Sequence, residues 1–317
     1  MIRILPVYKH PTTIIALDDD RFFLDSVVGE IPTFNVIKKF TDYKEALKVI
    51  EQSVEGKNTF QDKYVKSLND SKVNEIELLI KYSTIYKEYD AVEKYNNVAT
   101  LIVDYNMPEI NGLEFAKLIK ARTNIFIVLL TGEANEQTVI DAFNNGVIDA
   151  YISKVDAHLL EKLNDVIKKS EESFFGKLSS FLSQAILMDS HSKQSSCYLG
   201  NLQYIKFFLK YVEENNIKEF YLIDRLGSYL LKDKDNNLSI INIADEKRFK
   251  LMLEILPDDT NKDSLRAIKE WQQMLCLPDY YCVTDISVND YIKDCYRISG
   301  ANKLYYSSLS AELLLNL

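Results

Sequence analysis

The sequence predicts an α/β chain of two parts: a doubly wound, five-stranded parallel sheet in the first half and a smaller α+β domain with an antiparallel meander in the second. Three observations lead there. At 317 residues the chain is long enough for two cores. In the first half, short apolar runs alternate with amphipathic stretches. In the second, three strand-like runs follow one another with only turns between them.

The elements follow in order. Thr13 to Leu17 is an apolar run that stops at Asp18, Asp19 and Asp20, as a buried parallel strand with carboxylates at its end would. A helix is expected from Phe22, a strand at Asn35 to Phe40, and a helix at Lys44 to Ser53 with Ala46, Leu47, Val49 and Ile50 on one side. Residues 55–97 are charged and Tyr-rich, with helical spacing in Ile76, Leu79, Ile80, Ile85 and Tyr86; they read as a helical insertion on the sheet's edge. Alternation resumes with a strand from Thr100 to Val103 ending at Asp104 and a helix from Leu113 to Ala121. The strand Ile125 to Leu130, helix Glu136 to Asn145, strand Ile148 to Ile152 and a helix from Ala157 complete the pattern. That last helix carries Leu160, Leu163, Ile167, Phe174, Leu178, Phe181 and Ala185, a stripe suited to dimerisation, signal transmission or packing on the tail, with Gly176 as a candidate break.

The divisions read as 1–170, a connecting helix and linker at 171–196 that includes Asp189 to Ser196, and 197–317. In the last part a helix is expected at Leu202 to Glu214 and strands at Glu219 to Asp224, Ser228 to Lys232 and Leu238 to Ala244. Helices at Asp245 to Leu256 and Lys262 to Leu275, a fourth strand at Tyr280 to Val283 and a terminal helical region follow.

Composition narrows the function classes. A formal charge of −9 and a pI near 5.1 argue against wholesale nucleic-acid binding. Four cysteines, Cys197, Cys276, Cys282 and Cys295, lack zinc-ligand spacing and read as reduced thiols, while His158 and His191 stand isolated. With no run of about 18 apolar residues and no apolar leader, a cytoplasmic location without membrane contact is expected.

Asp18 with Asp19, Asp104, Thr131 and Lys154 all fall at carboxyl ends of expected strands, where open parallel sheets place their ligands. Together they offer oxygen ligands for Mg²⁺, a carboxylate nucleophile, and a hydroxyl and an ammonium to meet phosphoryl oxygens. Around VDYNMPEINGLEF, Val103 to Phe115, and in the LDDD, LLTGE and AYISK segments, the sequence resembles the receiver domains of two-component response regulators, CheY-like in type. The resemblance covers roughly residues 12–170 and implies a flavodoxin-like sheet of strand order 2-1-3-4-5.

It further implies that Asp104 takes a phosphoryl group from a histidine kinase or phosphotransfer protein, assisted by Thr131 and Lys154. Mg²⁺ would be held by Asp19, Asp104 and the carbonyl of Asn106, with Asp18 acting through water. Thr131 and Tyr151 would form the switch pair. The sequence departs from the family in Val155, where a proline is usual, and in the 85 positions separating Asp19 from Asp104 (104 − 19). The third acid, Asp20, leaves the metal register ambiguous by one residue. The tail lacks a basic recognition helix, so an output through protein interaction or homodimerisation on phosphorylation is expected. The alternative is a receiver-gated enzyme whose tail acts on nucleic acid with a metal held by Asp224, Asp233 and Asp235 beside Lys232 or Lys234; turn-capping is the other reading of these acids.

Overall fold

A computed structural model describes residues 4–54, 65–69, 76–132, 136–192, 197–257, 260–276 and 288–310. The strands run β1 (Tyr8–Lys9), β2 (Thr13–Leu17), β3 (Val36–Phe40), β4 (Val65–Asn69), β5 (Ile76–Ile80), β6 (Val98–Asp104), β7 (Phe126–Thr131) and β8 (Ala150–Ser153). They continue as β9 (Ile217–Leu222), β10 (Tyr229–Asp233), β11 (Leu238–Asp245), β12 (Gln273–Leu275), β13 (Ile292–Asp294), β14 (Tyr296–Arg297) and β15 (Leu304–Ser310). The helices are α1 (Arg21–Ser26), α2 (Tyr43–Val54), α3 (Tyr82–Tyr86), α4 (Gly112–Lys120), α5 (Glu136–Asn144), α6 (Leu159–Ser192), α7 (Leu202–Glu214), α8 (Glu246–Ile255) and α9 (Lys262–Lys269). Two compact units result, one from His10–Asn58 and Ala91–Leu178, the other from Met1–Lys9, Thr59–Asp90 and Ser179–Leu317.

The first unit holds five strands in the order β3-β2-β6-β7-β8, all parallel. In chain order this is the doubly wound arrangement 2-1-3-4-5. β2 and β6 are buried throughout, because helices cover both faces. The period of two divides their side chains between two cores. Ile15, Leu17, Leu101, Val103, Ile127 and Leu129 meet α2, α4 and α5 through residues such as Ile50, Phe115 and Val139. Their neighbours Ile14, Ala16, Ile102, Val128 and Leu130 face the opposite way, against Leu24 of α1 and Leu163 and Ile167 of α6. α6 is further fixed by Ser170, whose Oγ lies 2.7 Å from Thr100 Oγ1, and by Glu171, which accepts from Asn35 Nδ2 at 2.6 Å.

The second unit centres on a six-stranded sheet in the order β1-β9-β10-β11-β15-β14, antiparallel throughout. The β9-β10-β11 meander and α7 stand as expected. α7 buries Tyr204, Ile205 and Phe208, and Phe208 packs at 4.5 Å between ring centroids on Tyr229 and at 5.2 Å on Phe220. Tyr204 donates to the carbonyl of Gly227, whose φ of 121° turns β9 into β10.

Several expectations are corrected. Among the described residues of 55–97 the expected helical insertion is replaced in part by strand: β4 and β5 pair antiparallel, and α3 and short 3-10 turns are helical. The described elements there divide between the units: α3 and the 3-10 turn Lys87–Asp90 pack on β9 and belong to the second unit, whereas the 3-10 turn Val92–Asn96 belongs to the first, where Thr13 of β2 donates to the carbonyls of Tyr95 and Asn97. The first residues of the chain belong to the second unit too. Leu5 N–H donates to Leu199 O at 2.9 Å, Leu222 N–H to Val7 O at 2.7 Å, and Tyr229 Oη to Pro6 O at 3.0 Å.

The terminal region is strand, not helix, over Leu304–Ser310: its burial alternates from Ser307 on, and it pairs with all but the first residue of β11. The helix expected to reach Leu275 ends at Lys269, because the chain reverses at Trp271, φ 58°, into β12, which pairs with β13. α6 passes Gly176 unbroken and runs through Ser192, so helix occupies the first half of the expected linker. The strand expected at Tyr280 to Val283 lies outside the described residues, as does Cys282.

Burial pushes the thiols of Cys276 and Cys295 up to about 12. A free thiol titrates near 8.5, so above that pH the unfolded chain loses protons that the folded one keeps, and this contribution to stability is lost as pH rises toward about 12. Iodoacetamide at pH 8 is therefore expected to leave Cys276 unmodified in the native protein and to label it fully in denaturant. Peptide mapping by mass spectrometry reads both states.

Candidate functional site

All five strands of the parallel sheet end on the same side, so residues far apart in sequence converge there. The order reverses between β2 and β6, and the acids sit at that switch point. Asp18 directly follows β2 and Asp104 closes β6; both are buried, 1% and 4% exposed, while Asp19 faces solvent. Oxygens of the three carboxylates lie within 4.8 Å of one another. Lys154, just past β8, brings Nζ to 2.7 Å from Asp18 Oδ2 and 2.7 Å from Asp104 Oδ1. The contact with Asp18 is an ion pair rather than a well-directed hydrogen bond.

The electrostatics follow from this crowding. Burial pushes the Asp18 carboxyl above its usual range, against the opposing pull of Lys154 and the Asp20 N–H. Burial alone would lower the Lys154 ammonium; its contacts with Asp104 and Asp18 outweigh that and hold it above the ordinary range. Thr131 ends β7 with its hydroxyl buried and without a hydrogen-bond partner. A buried hydroxyl left unpaired costs stability, which marks Oγ1 as a donor awaiting an acceptor.

The backbone around Asp104 is tightly constrained. Asp104 Oδ2 accepts from Asn106 N–H at 2.8 Å, and Asn111 Oδ1 caps α4 through Leu113 N–H at 2.8 Å. Between them, Gly112 N–H donates to Tyr105 O at 3.0 Å. A Cβ at Gly112 would lie 2.0 Å from the Asp104 carbonyl oxygen, so only glycine lets α4 start this close to the strand end. The Asn-Gly pair thus has a geometric reason.

Asp20 is not in the metal register: its carboxylate caps α1 by accepting from Phe23 N–H at 3.1 Å. Val155 leaves Lys154 well placed, since Lys154 N–H continues the ladder to Thr131 O at 2.8 Å. Tyr151 is 54% exposed. Sequence reasoning missed Phe23, whose ring centroid lies 4.7 Å from Lys154 Nζ.

In the second unit the acids of the alternative reading do not converge. Asp224 takes three N–H donors, from Leu226, Gly227 and Ser228 at 2.9–3.0 Å, beyond the end of β9. Asp233 caps the turn at the opposite end of β10 through Asp235 N–H and Asn237 N–H at 2.8 and 2.9 Å. Lys232 lies 3.8 Å from Glu219 instead. Among the described residues, the cluster at Asp18, Asp19 and Asp104 is the only trio placed to share a metal ion.

Comparison with known proteins bears on the first unit. The family model of the response regulator receiver domain matches residues 53–164. That stretch of the chain is similar to the receiver domains of response regulators. A chemotaxis protein CheY homolog of Campylobacter jejuni is 36% identical over 83 residues, 25% of this chain and 64% of that protein. Chemotaxis protein CheY1 of Helicobacter pylori is 28% identical over 82 residues, 25% of this chain and 66% of that protein. The chain thus spans less than two thirds of the length of these relatives. Among solved structures, the Legionella pneumophila response regulator LqsR superposes with a TM-score of 0.69 at 24% identity, covering 96% of this chain and 89% of that one. This likeness shows the fold. Asp18 and Asp19 precede the matched range, and the sheet is what brings them to the receiver's Asp104. No helix among the described residues is long and apolar enough to cross a membrane.

Gly112→Ala is expected to destabilise the receiver by more than about 2 kcal/mol, because the intruding methyl meets backbone that cannot rotate away. Urea unfolding followed by circular dichroism measures this. A variant within about 0.5 kcal/mol of wild type would mean that α4 steps aside freely.

Proposed function

We propose that the protein is a phosphorylation-activated response regulator in which Asp104 accepts a phosphoryl group from a histidine kinase or phosphotransfer protein. The observation that carries this reading is the single ammonium of Lys154 held 2.7 Å from both Asp18 and Asp104. An Asp104 oxygen attacks phosphorus, the donor's P–N bond breaks, and the nitrogen leaves with the bonding pair and takes up a proton. Transfer of this kind depends mainly on positioning and on neutralising the phosphoryl oxygens. Lys154 Nζ is placed to follow one of those oxygens as Asp104 becomes acylated, and Thr131 Oγ1 to donate to another.

Oxygen-only donors suit Mg²⁺, and the clustered carboxylates of Asp18, Asp19 and Asp104 fit it. These three and the carbonyl of Asn106 would hold the ion, which supplies positive charge against the phosphoryl oxygens. Thr131 and Tyr151 form the switch pair: the hydroxyl turns toward the phosphoryl group and the exposed ring moves inward. The second unit is the output, acting through protein interaction or phosphorylation-dependent homodimerisation. The placement of Asp224 and Asp233 at opposite ends of β10 leaves the nuclease-like alternative without a site among the described residues.

With Mg²⁺ and phosphoramidate, intact-mass measurement is expected to show one phosphoryl adduct on wild type and none on Asp104→Asn. Lys154→Ala is expected to destabilise the first unit and to slow uptake by at least about tenfold in the protein that circular dichroism shows to be folded. An adduct that persists on Asp104→Asn removes Asp104 as the acceptor.

A further inference from the structure

Phe22 and Phe23 are neighbours on α1 but differ in environment. Phe22 is 78% exposed, whereas Phe23 is partly buried and packs against the core that faces α1 and α6. The Asp20 cap fixes the start of the helix through Phe23 N–H itself. From there the Phe23 ring reaches the ammonium of Lys154, 4.7 Å from Nζ to ring centroid. Nζ therefore has three neighbours: the carboxylates of Asp18 and Asp104 and one aromatic ring.

We propose that Phe23 is a positioning residue for Lys154, its ring confining the ammonium beside Asp104 independently of the two carboxylates. The inference rests on the phosphoryl-acceptor reading above. A carboxylate that turns toward another cation or becomes acylated loosens its hold on Nζ, but an aromatic quadrupole has no such competing duty. The attraction of an ammonium to a ring within about 6 Å is appreciable and grows when the pair is shielded from water. Lys154 has a flexible stem with four rotatable bonds, so without the ring its charge spreads over more positions. Lys154 then reaches the phosphoryl oxygens less often. The contact that Phe23 makes at the site is with the lysine, so its effect on transfer runs through that side chain.

The test uses the full chain. Phe23→Leu keeps an apolar side chain but removes the ring, and Phe22→Leu makes the same change one residue away. Uptake from phosphoramidate is followed by intact mass, and the Hε resonances of Lys154 are followed by NMR, since protons over a ring face move upfield. Phe23→Leu is expected to slow uptake about three- to thirtyfold and to abolish the upfield displacement. Phe23→Tyr and Phe23→Trp should restore both, and Phe22→Leu should change neither. Lys154 Hε protons at their ordinary position in wild type, or wild-type uptake in a folded Phe23→Leu, would overturn the proposal. Wild type with displaced Hε protons but no adduct would sink the phosphoryl-acceptor reading while upholding the ring's hold on the lysine.

Discussion

Two buried carboxylates at adjacent strand ends repel each other, and the ammonium of Lys154 between them is what makes the arrangement tenable. The rest of the first unit serves that one contact. β2 and β6 must be neighbours to bring Asp18 and Asp104 together, and β8 must lie parallel on the same sheet for its end to deliver the lysine. The doubly wound order satisfies both. It leaves the strand ends at the switch point open, while covering both faces with apolar side chains.

The site remains in tension even so. Asp18 titrates above its usual range despite a lysine at contact distance, and the hydroxyl of Thr131 is buried without a partner. Both features oppose stability in the resting state, and both are relieved by chemistry that brings positive charge to the acids and an oxygen acceptor to the hydroxyl. Elsewhere the same unit leaves little unsatisfied. Asp20 caps α1, Asn111 caps α4, and Ser170 and Glu171 tie α6 to the sheet.

Much of this was legible in the sequence, for a physical reason. In a parallel sheet each strand end is marked locally by an apolar run stopping at a polar residue, and topology alone brings those marks together. Asp18, Asp104, Thr131 and Lys154 could thus be read one by one. What depends on tertiary partners could not. Phe22 and Phe23 are identical as letters, and only the helix phase set by the Asp20 cap decides which ring meets the lysine. The segment LYYSSLS alternates well enough for a strand but is followed by apolar residues at helical spacing, and its pairing with β11 settles the matter. Residues 76–80 carry apolar side chains that suit either period, and a hairpin partner selects the strand.

The first nine residues and the segment from Thr59 to Asp90 belong to the antiparallel unit, although each precedes sequence that builds the parallel one. The chain therefore passes from one unit to the other four times, near residues 9, 58, 90 and 178. No single cut separates two such units. A fragment of residues 197–317 would lack the strand that covers β9, the Leu5 to Val7 segment that accepts from Tyr229 and Leu222, and α3. A fragment ending near residue 170 would carry both orphaned pieces with nothing to pack on. Interleaving of this kind means that neither unit can be cut out as one continuous stretch of chain.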